Sequence, residues 1–207
     1  MYIATRARRI NQARGRAAIA AAVEAGARAS AVTGREVFVW SSIFSAEGPT
    51  VSWSVRVEHL ADAIAADDAL FADEGFAQWV EDNDGLFAGP SSDLISQVVH
   101  GAPTGPPKTY VQATRAVCAN GSIGEAMGIG IELAEAATRI TGVPVMFATA
   151  VTGTYAAVGW LSSVDELAEV EAANASLVAD EEWLKLIDRA GHAFAPGTSS
   201  SILRRLA

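Results

Sequence analysis

Residues 33–57 read TGREVFVWSSIFSAEGPTVSWSVRV. Gly34 stands where an alanine-rich helix, residues 13–33, would close in a left-handed cap, since glycine has no Cβ to clash there. Beyond it, residues 36–45 and 50–57 are two runs of β-formers separated by Ala46-Glu-Gly-Pro49, the composition of a hairpin turn. The second run alternates, with Val51, Trp53, Val55 and Val57 on one face and Ser52, Ser54 and Arg56 on the other. A helix followed by a hairpin with one apolar face is a packed helix-on-sheet layer, and the sequence contains it twice.

At a shift of 107 to 109 residues, Thr33-Gly34 falls on Thr141-Gly142, Val37 on Val145, Trp53 on Trp160 and Val57 on Val164. The match extends outward in both directions: Tyr2 falls on Tyr110, Thr5-Arg6 on Thr114-Arg115, Leu60-Ala61 on Leu167-Ala168, Ala72-Asp73 on Ala179-Asp180 and Phe87 on Phe194. His100 meets Ala207. The reading is therefore a first repeat at 1–100, a Pro/Gly linker at 101–109 holding three of the seven prolines, and a second repeat at 110–207. Each repeat reads βαββαβ. The first has strands at 2–9, 36–45, 50–57 and 93–100, with helices at 13–33 and about 58–70 and a helical turn near 76–80. The second has strands at 110–118, 144–152, 155–162 and 199–206 and helices at 123–140 and 165–189, the latter opened by a Ser162/Asp165 or Ser163/Glu166 capping box. A βαββαβ unit leaves one sheet face bare. The expected fold is thus α+β: two ferredoxin-like βαββαβ repeats packed sheet to sheet as an intramolecular α+β barrel.

Composition narrows the function classes. The chain has 207 residues, 50% of them hydrophobic, and a mean hydropathy of +0.23, which suits a large buried core. A formal charge of -9 gives no attraction to a phosphate backbone, so no nucleic-acid partner is expected. Arginines at 6, 8 and 9 interrupt the place where a signal peptide would be apolar, and residues 17–31 carry Glu24 and Arg28, so neither export nor a membrane span is read and a cytoplasmic location is expected. Cys118, alone, cannot form an internal disulfide and reads as a small buried residue.

Tyr2 to Arg6, Gly34, Trp53 and Leu70-Phe-Ala-Asp-Glu-Gly-Phe76, with their counterparts Tyr110 to Arg115, Gly142, Gly159-Trp160 and Ala179-Asp-Glu-Glu-Trp183, resemble the NIPSNAP-like branch of the dimeric α+β barrel proteins, the superfamily of the antibiotic-biosynthesis monooxygenases. The resemblance implies the barrel, and a superfamily that holds cofactor-free monooxygenases, haem-degrading enzymes and stress-response proteins.

The residues themselves offer few catalytic patterns. His59, His100 and His192 have no histidine counterpart in the other repeat, and no zinc-type spacing occurs, so neither a metal site nor a cofactor is expected; His100, ending a strand, is the one candidate haem ligand. The glycines at 121, 124, 128 and 130 fit no nucleotide-binding spacing and read as sites of close helix packing. Arg6 with Arg115, and Trp53 with Trp160, recur on strands. Repeated arginines on a sheet need partners, because a buried guanidinium is costly alone. They read either as structural anchors or as ligand-binding groups; the tryptophans read as core packing or as a cavity wall. The function expected is binding of a small apolar aromatic or polyketide-like compound in the barrel cavity, with or without cofactor-independent oxygenase or isomerase chemistry. The alternative is a non-catalytic interaction or assembly module with a filled barrel. A homo-oligomer or larger assembly fits either.

Overall fold

A computed structural model describes residues 1–45 and 48–207. Ala46 and Glu47, half of the expected hairpin turn, lie outside the described residues. The chain is α+β, with eight strands among the described residues in the closed antiparallel order β1-β3-β2-β8-β5-β7-β6-β4. In chain order the elements are β1 (Tyr2–Ile10), α1 (Gly15–Thr33), β2 (Phe38–Phe44), β3 (Thr50–Val57), α2 (Leu60–Ala72), α3 (Glu74–Asn83), β4 (Phe87–His100), β5 (Tyr110–Val117), α4 (Ile123–Thr141), β6 (Val145–Ala150), β7 (Ala157–Val164), α5 (Leu167–Ala179), α6 (Glu181–Ala190) and β8 (Ser199–Arg205).

The chain forms two compact units, Met1–Ile95 with Arg204–Ala207, and Ser96–Leu203. In the first unit β3 lies between β1 and β2, and Leu206 and Ala207 bond the backbone of Val39. Its core is a layer between α1 and the sheet, built from Ile10, Ala18, Ala22, Val39 and Val51, with Trp53 and Phe87 packed against it. Alanines make this possible: a helix face of Ala18, Ala22, Ala25 and Ala29 lets the sheet approach closely. In the second unit β7 lies between β5 and β6, β6 also pairs with residues 96–100 of β4, and the corresponding core gathers Cys118, Ala126, Ile129, Leu133, Phe147, Val158 and Leu186.

Helix ends follow the repeated signals. Gly34 and Gly142 take φ of 65° and 70°, and their N–H groups bond Ser30 and Thr138 carbonyls at 2.9 Å. The side-chain hydroxyls of the same two residues hold the chain that follows, Ser30 Oγ accepting from Val37 N–H and Thr138 Oγ1 from Val145 N–H.

Three local expectations are corrected. The helix expected at 165–189 is two helices broken at Asp180, whose extended backbone frees its carboxylate to accept the Trp183 N–H at 2.8 Å; Asp73 does the same for Phe76 in the first unit. That helix pair is opened by Glu166 and Glu169, with the Glu169 carboxylate accepting the Glu166 N–H, so the serine boxes do not form. Finally, β4 begins at Phe87 and not at Asp93. Arg8 bonds the Gly89 carbonyl and Arg6 grips Asp93, which tie the added residues to β1.

Candidate functional site

The tryptophan pair is a helix-to-sheet clasp in each unit. Trp53 Nε1 donates to the Ala22 carbonyl of α1, and Trp160 Nε1 donates to the Gly130 carbonyl of α4, both at 2.8 Å. Both rings stand on the helix-facing side of their sheets, where Trp53 meets Phe87 and Trp160 meets Phe147 and Phe194.

The arginines are not equivalent. Arg6 lies opposite Trp53 on β3, but the residue opposite Trp160 is Thr114, while Arg115 lies opposite Gly159. The sequence match of Arg6 with Arg115 is one residue out of structural register, and side-chain alternation then sends them to opposite sheet faces. Arg6 makes a two-point bond to Asp93, Nε and Nη2 to its two carboxylate oxygens at 2.8 and 2.9 Å, and its Nη1 lies 3.3 Å from Asp67. Bonding to Asp93 raises the Arg6 pKa, against the opposing effect of burial. Arg115 is exposed. On the sheet face turned away from α1, Trp40 Nε1 donates to Ser54 Oγ and the Arg56 guanidinium stands 5.5 Å over the Phe38 ring; burial lowers the Arg56 pKa.

Of the four α4-region glycines, only Gly130 is a close-packing site: a Cβ there would fall 2.3 Å from the Phe147 ring, whereas Gly121, Gly124 and Gly128 face open space. His100 stands 4.0 Å from Glu135, and His192 bonds Glu125 at 2.9 Å. Among the described residues no group of three or more His, Cys, Asp or Glu side chains is placed to hold a metal ion, and no helix is long and apolar enough to cross a membrane.

The second unit also contains a pocket of about 370 Å³ between the first turns of α4 and the β6–β7 hairpin. Cys118 and Val158 line it from the sheet, Ile123 and Met127 from α4, and Thr149 and Tyr155 from β6 and the hairpin. The sheet-side wall exists because β5 is followed by a short residue: Cys118, buried, bonds through its N–H to the Ala156 carbonyl, and Ala156 adopts φ 57° to turn the hairpin over it. Burial pushes the Cys118 thiol pKa up, so the sulfur is a neutral thiol at neutral pH. At the mouth, Tyr155 is 83% exposed and Val151 45%. Sequence reasoning missed this pocket. Its one sequence signal is a size change: at the repeat shift of 108, Cys118 and Ile123 of the second unit replace Ile10 and Gly15 of the first.

No family model matches the sequence, and no curated protein matches it. Solved structures do match in fold. A candidate monooxygenase from Fusobacterium nucleatum superposes over 100% of this chain and 92% of its own, with a TM-score of 0.71 at 11% identity. An anthrone oxidase-like protein covers 100% and 91%, with a TM-score of 0.65 at 13% identity. A chlorite dismutase variant from Candidatus Nitrospira defluvii covers 98% and 90%, with a TM-score of 0.54 at 10% identity. What this chain shares with these proteins is the fold, the α+β arrangement read from the sequence. The pocket's lining includes no histidine and no carboxylate, so it offers haem no axial ligand of those types.

Proposed function

We propose that the chain is a cytoplasmic binding protein for a small apolar aromatic compound, taken up in the pocket between α4 and the β6–β7 hairpin. The observation that carries this reading is the pocket itself: its volume of about 370 Å³ falls within the roughly 300–1,000 Å³ range of ligand sites, and its walls combine apolar side chains, Ile123, Met127, Val151 and Val158, with the hydroxyls of Thr149, Thr152 and Thr154. The names of the fold neighbours, a candidate monooxygenase and an anthrone oxidase-like protein, support an oxidisable aromatic ligand. Turnover on such a ligand would convert a ring CH₂ to C=O, with O₂ supplying that oxygen and leaving as water with the two hydrogens, so the substrate supplies the electrons. Binding is better supported than turnover, because the lining holds no carboxylate or imidazole to take a proton. The test is titration of anthrone into the wild type and into Cys118→Ile, which places the first unit's residue in the pocket. Saturable binding that Cys118→Ile abolishes, with or without oxygen uptake, supports the reading; equal binding by a folded Cys118→Ile overturns it.

A second reading, an assembly module, has its own observation. Neither α2 nor α3 contains a buried residue, and Ile64 and Phe71 of α2 are exposed. A homo-oligomer seated there would show as a larger mass in solution, reduced by Phe71→Glu.

A further inference from the structure

Two surfaces of the first unit carry opposite charge, and together they bear on how copies of the chain meet; this rests on the assembly reading above. On α2, Leu60, Ile64, Asp68 and Phe71 are exposed on one face, since i, i+4, i+8 and i+11 line up along a helix. Asp68 makes no ion pair among the described residues, whereas Asp62 and Asp67 stand by Arg35 and Arg6. Packed on its own copy about a twofold axis, this row would set Asp68 against another Asp68 or against an aliphatic side chain, like-charged or unpaired in either case. The row suits a partner that is both apolar and basic.

The same unit has such a surface. Arg9, Arg14 and Arg16, at the end of β1 and the start of α1, are exposed and make no ion pair among the described residues, while Arg6, Arg8, Arg28 and Arg35 are all paired. Arg9 lies opposite Thr50, whose N–H bonds Ser42 Oγ, so the exposed Phe44 at the end of β2 belongs to the same end of the sheet. Folding does not call for arginines there: α1 has no acidic residue in its first turn, and cations at a helix N-terminus oppose its dipole. Nor does the repeat. The positions corresponding to Arg9, Arg14 and Arg16 are Val117, Ser122 and Gly124, and those corresponding to Ile64, Asp68 and Phe71 are Glu171, Ala175 and Val178, so the second unit carries neither surface. We propose that the α2 face of one copy docks on the Arg9, Arg14 and Arg16 corner of the next, a head-to-tail contact between two copies of this chain. Each contact leaves one surface of each kind free, so association continues past a pair or closes a ring.

Sedimentation of the full chain tests this at about 0.01 M and about 1 M salt, where charges act over about 30 Å and about 3 Å. The variants are Asp68→Arg and the triple change Arg9→Asp, Arg14→Asp and Arg16→Asp, with folding checked by melting. The expected result is a wild-type mass of two chains or more at low salt that falls to one chain at high salt, and one-chain mass for each variant alone. Mixing the two variants should restore the larger mass, because each acidic surface then has a basic one to meet. If the arginine variant keeps the wild-type mass while Phe71→Glu lowers it, α2 meets its own copy and the corner is not its partner. One-chain variants that stay apart on mixing also overturn the pairing. A wild type that is one chain at both salts removes the assembly reading and this contact with it.

Discussion

The two units solve one packing problem with opposite choices of size. In the first, the strand residue facing α1 is Val39, and the glycine that admits it is Gly26, where a Cβ would lie 2.3 Å from a Val39 methyl. In the second, the strand residue is Phe147, fully buried, and the glycine lies one helical turn earlier, at Gly130. At the repeat shift of 108, Ala22 and Gly26 correspond to Gly130 and Ala134, and Val39 to Phe147, so the gap has moved one turn along the helix as the strand residue filling it changed from valine to phenylalanine. The tryptophan clasp has not moved: Trp53 and Trp160 bond the carbonyls of those same corresponding positions, Ala22 and Gly130. A clasp made to a backbone carbonyl survives exchange of the side chains around it, whereas a steric fit must change as a pair.

The largest effect should come from the clasp. Trp160→Ala should cost about 3–5 kcal/mol in urea unfolding, through lost burial and the cavity left behind, and Trp53→Ala less, because Trp53 has one ring partner where Trp160 has two. Equal losses would break the idea that the second unit leans harder on its clasp.

Next is the paired fit. Gly130→Ala should cost about 1–3 kcal/mol by overpacking against Phe147, and Gly130→Ala with Phe147→Val, which removes the ring that the new Cβ would strike, should cost less than the sum of the single changes. A double-mutant cycle by chemical denaturation reads this directly, and strict additivity would refute the coupled exchange.

A third prediction turns on Cys118 and Ile10, corresponding positions in the two cores. Burial raises the folded thiol pKa, so above the ordinary thiol value of about 8.5 the unfolded chain has lost a proton that the folded chain keeps. Stability should therefore fall as pH rises through that value, and Cys118→Ala should remove this part of the slope. An unchanged slope in the variant would place the pH dependence elsewhere.

The smallest effects should be those of the arginines, Arg6→Ala first. The bidentate bond to Asp93 is well formed, but the Arg6 side chain is 40% exposed and Asp93 53%, so screening leaves at most about 1 kcal/mol. Arg115→Ala, with no counterpart to that pairing, should be neutral within error by the same melting measurement.

Much of this was legible in the chain before any coordinates. The αL caps at Gly34 and Gly142, the strand pairs that follow them and the helix-facing side of Trp53 all follow from local rules: φ > 0 needs glycine, and strand alternation assigns faces. Register does not follow locally. Arg6 and Arg115 match in sequence, yet one residue of slip between β1 and β5 puts them on opposite faces, and only the strand partners across the sheet decide that slip. The helix break at Asp180 was written as Ala179-Asp180 matching Ala72-Asp73, but it needed the carboxylate's turn toward Trp183 N–H to show that the pattern was a cap. The pocket was least legible of all. A cysteine in place of an isoleucine is a modest change along the chain, and it opens a pocket only where α4 and the hairpin at Ala156 meet around it. Local sequence determined the elements and their faces because those depend on backbone sterics and period; tertiary packing decided register and cavity, because both are properties of which distant surfaces meet.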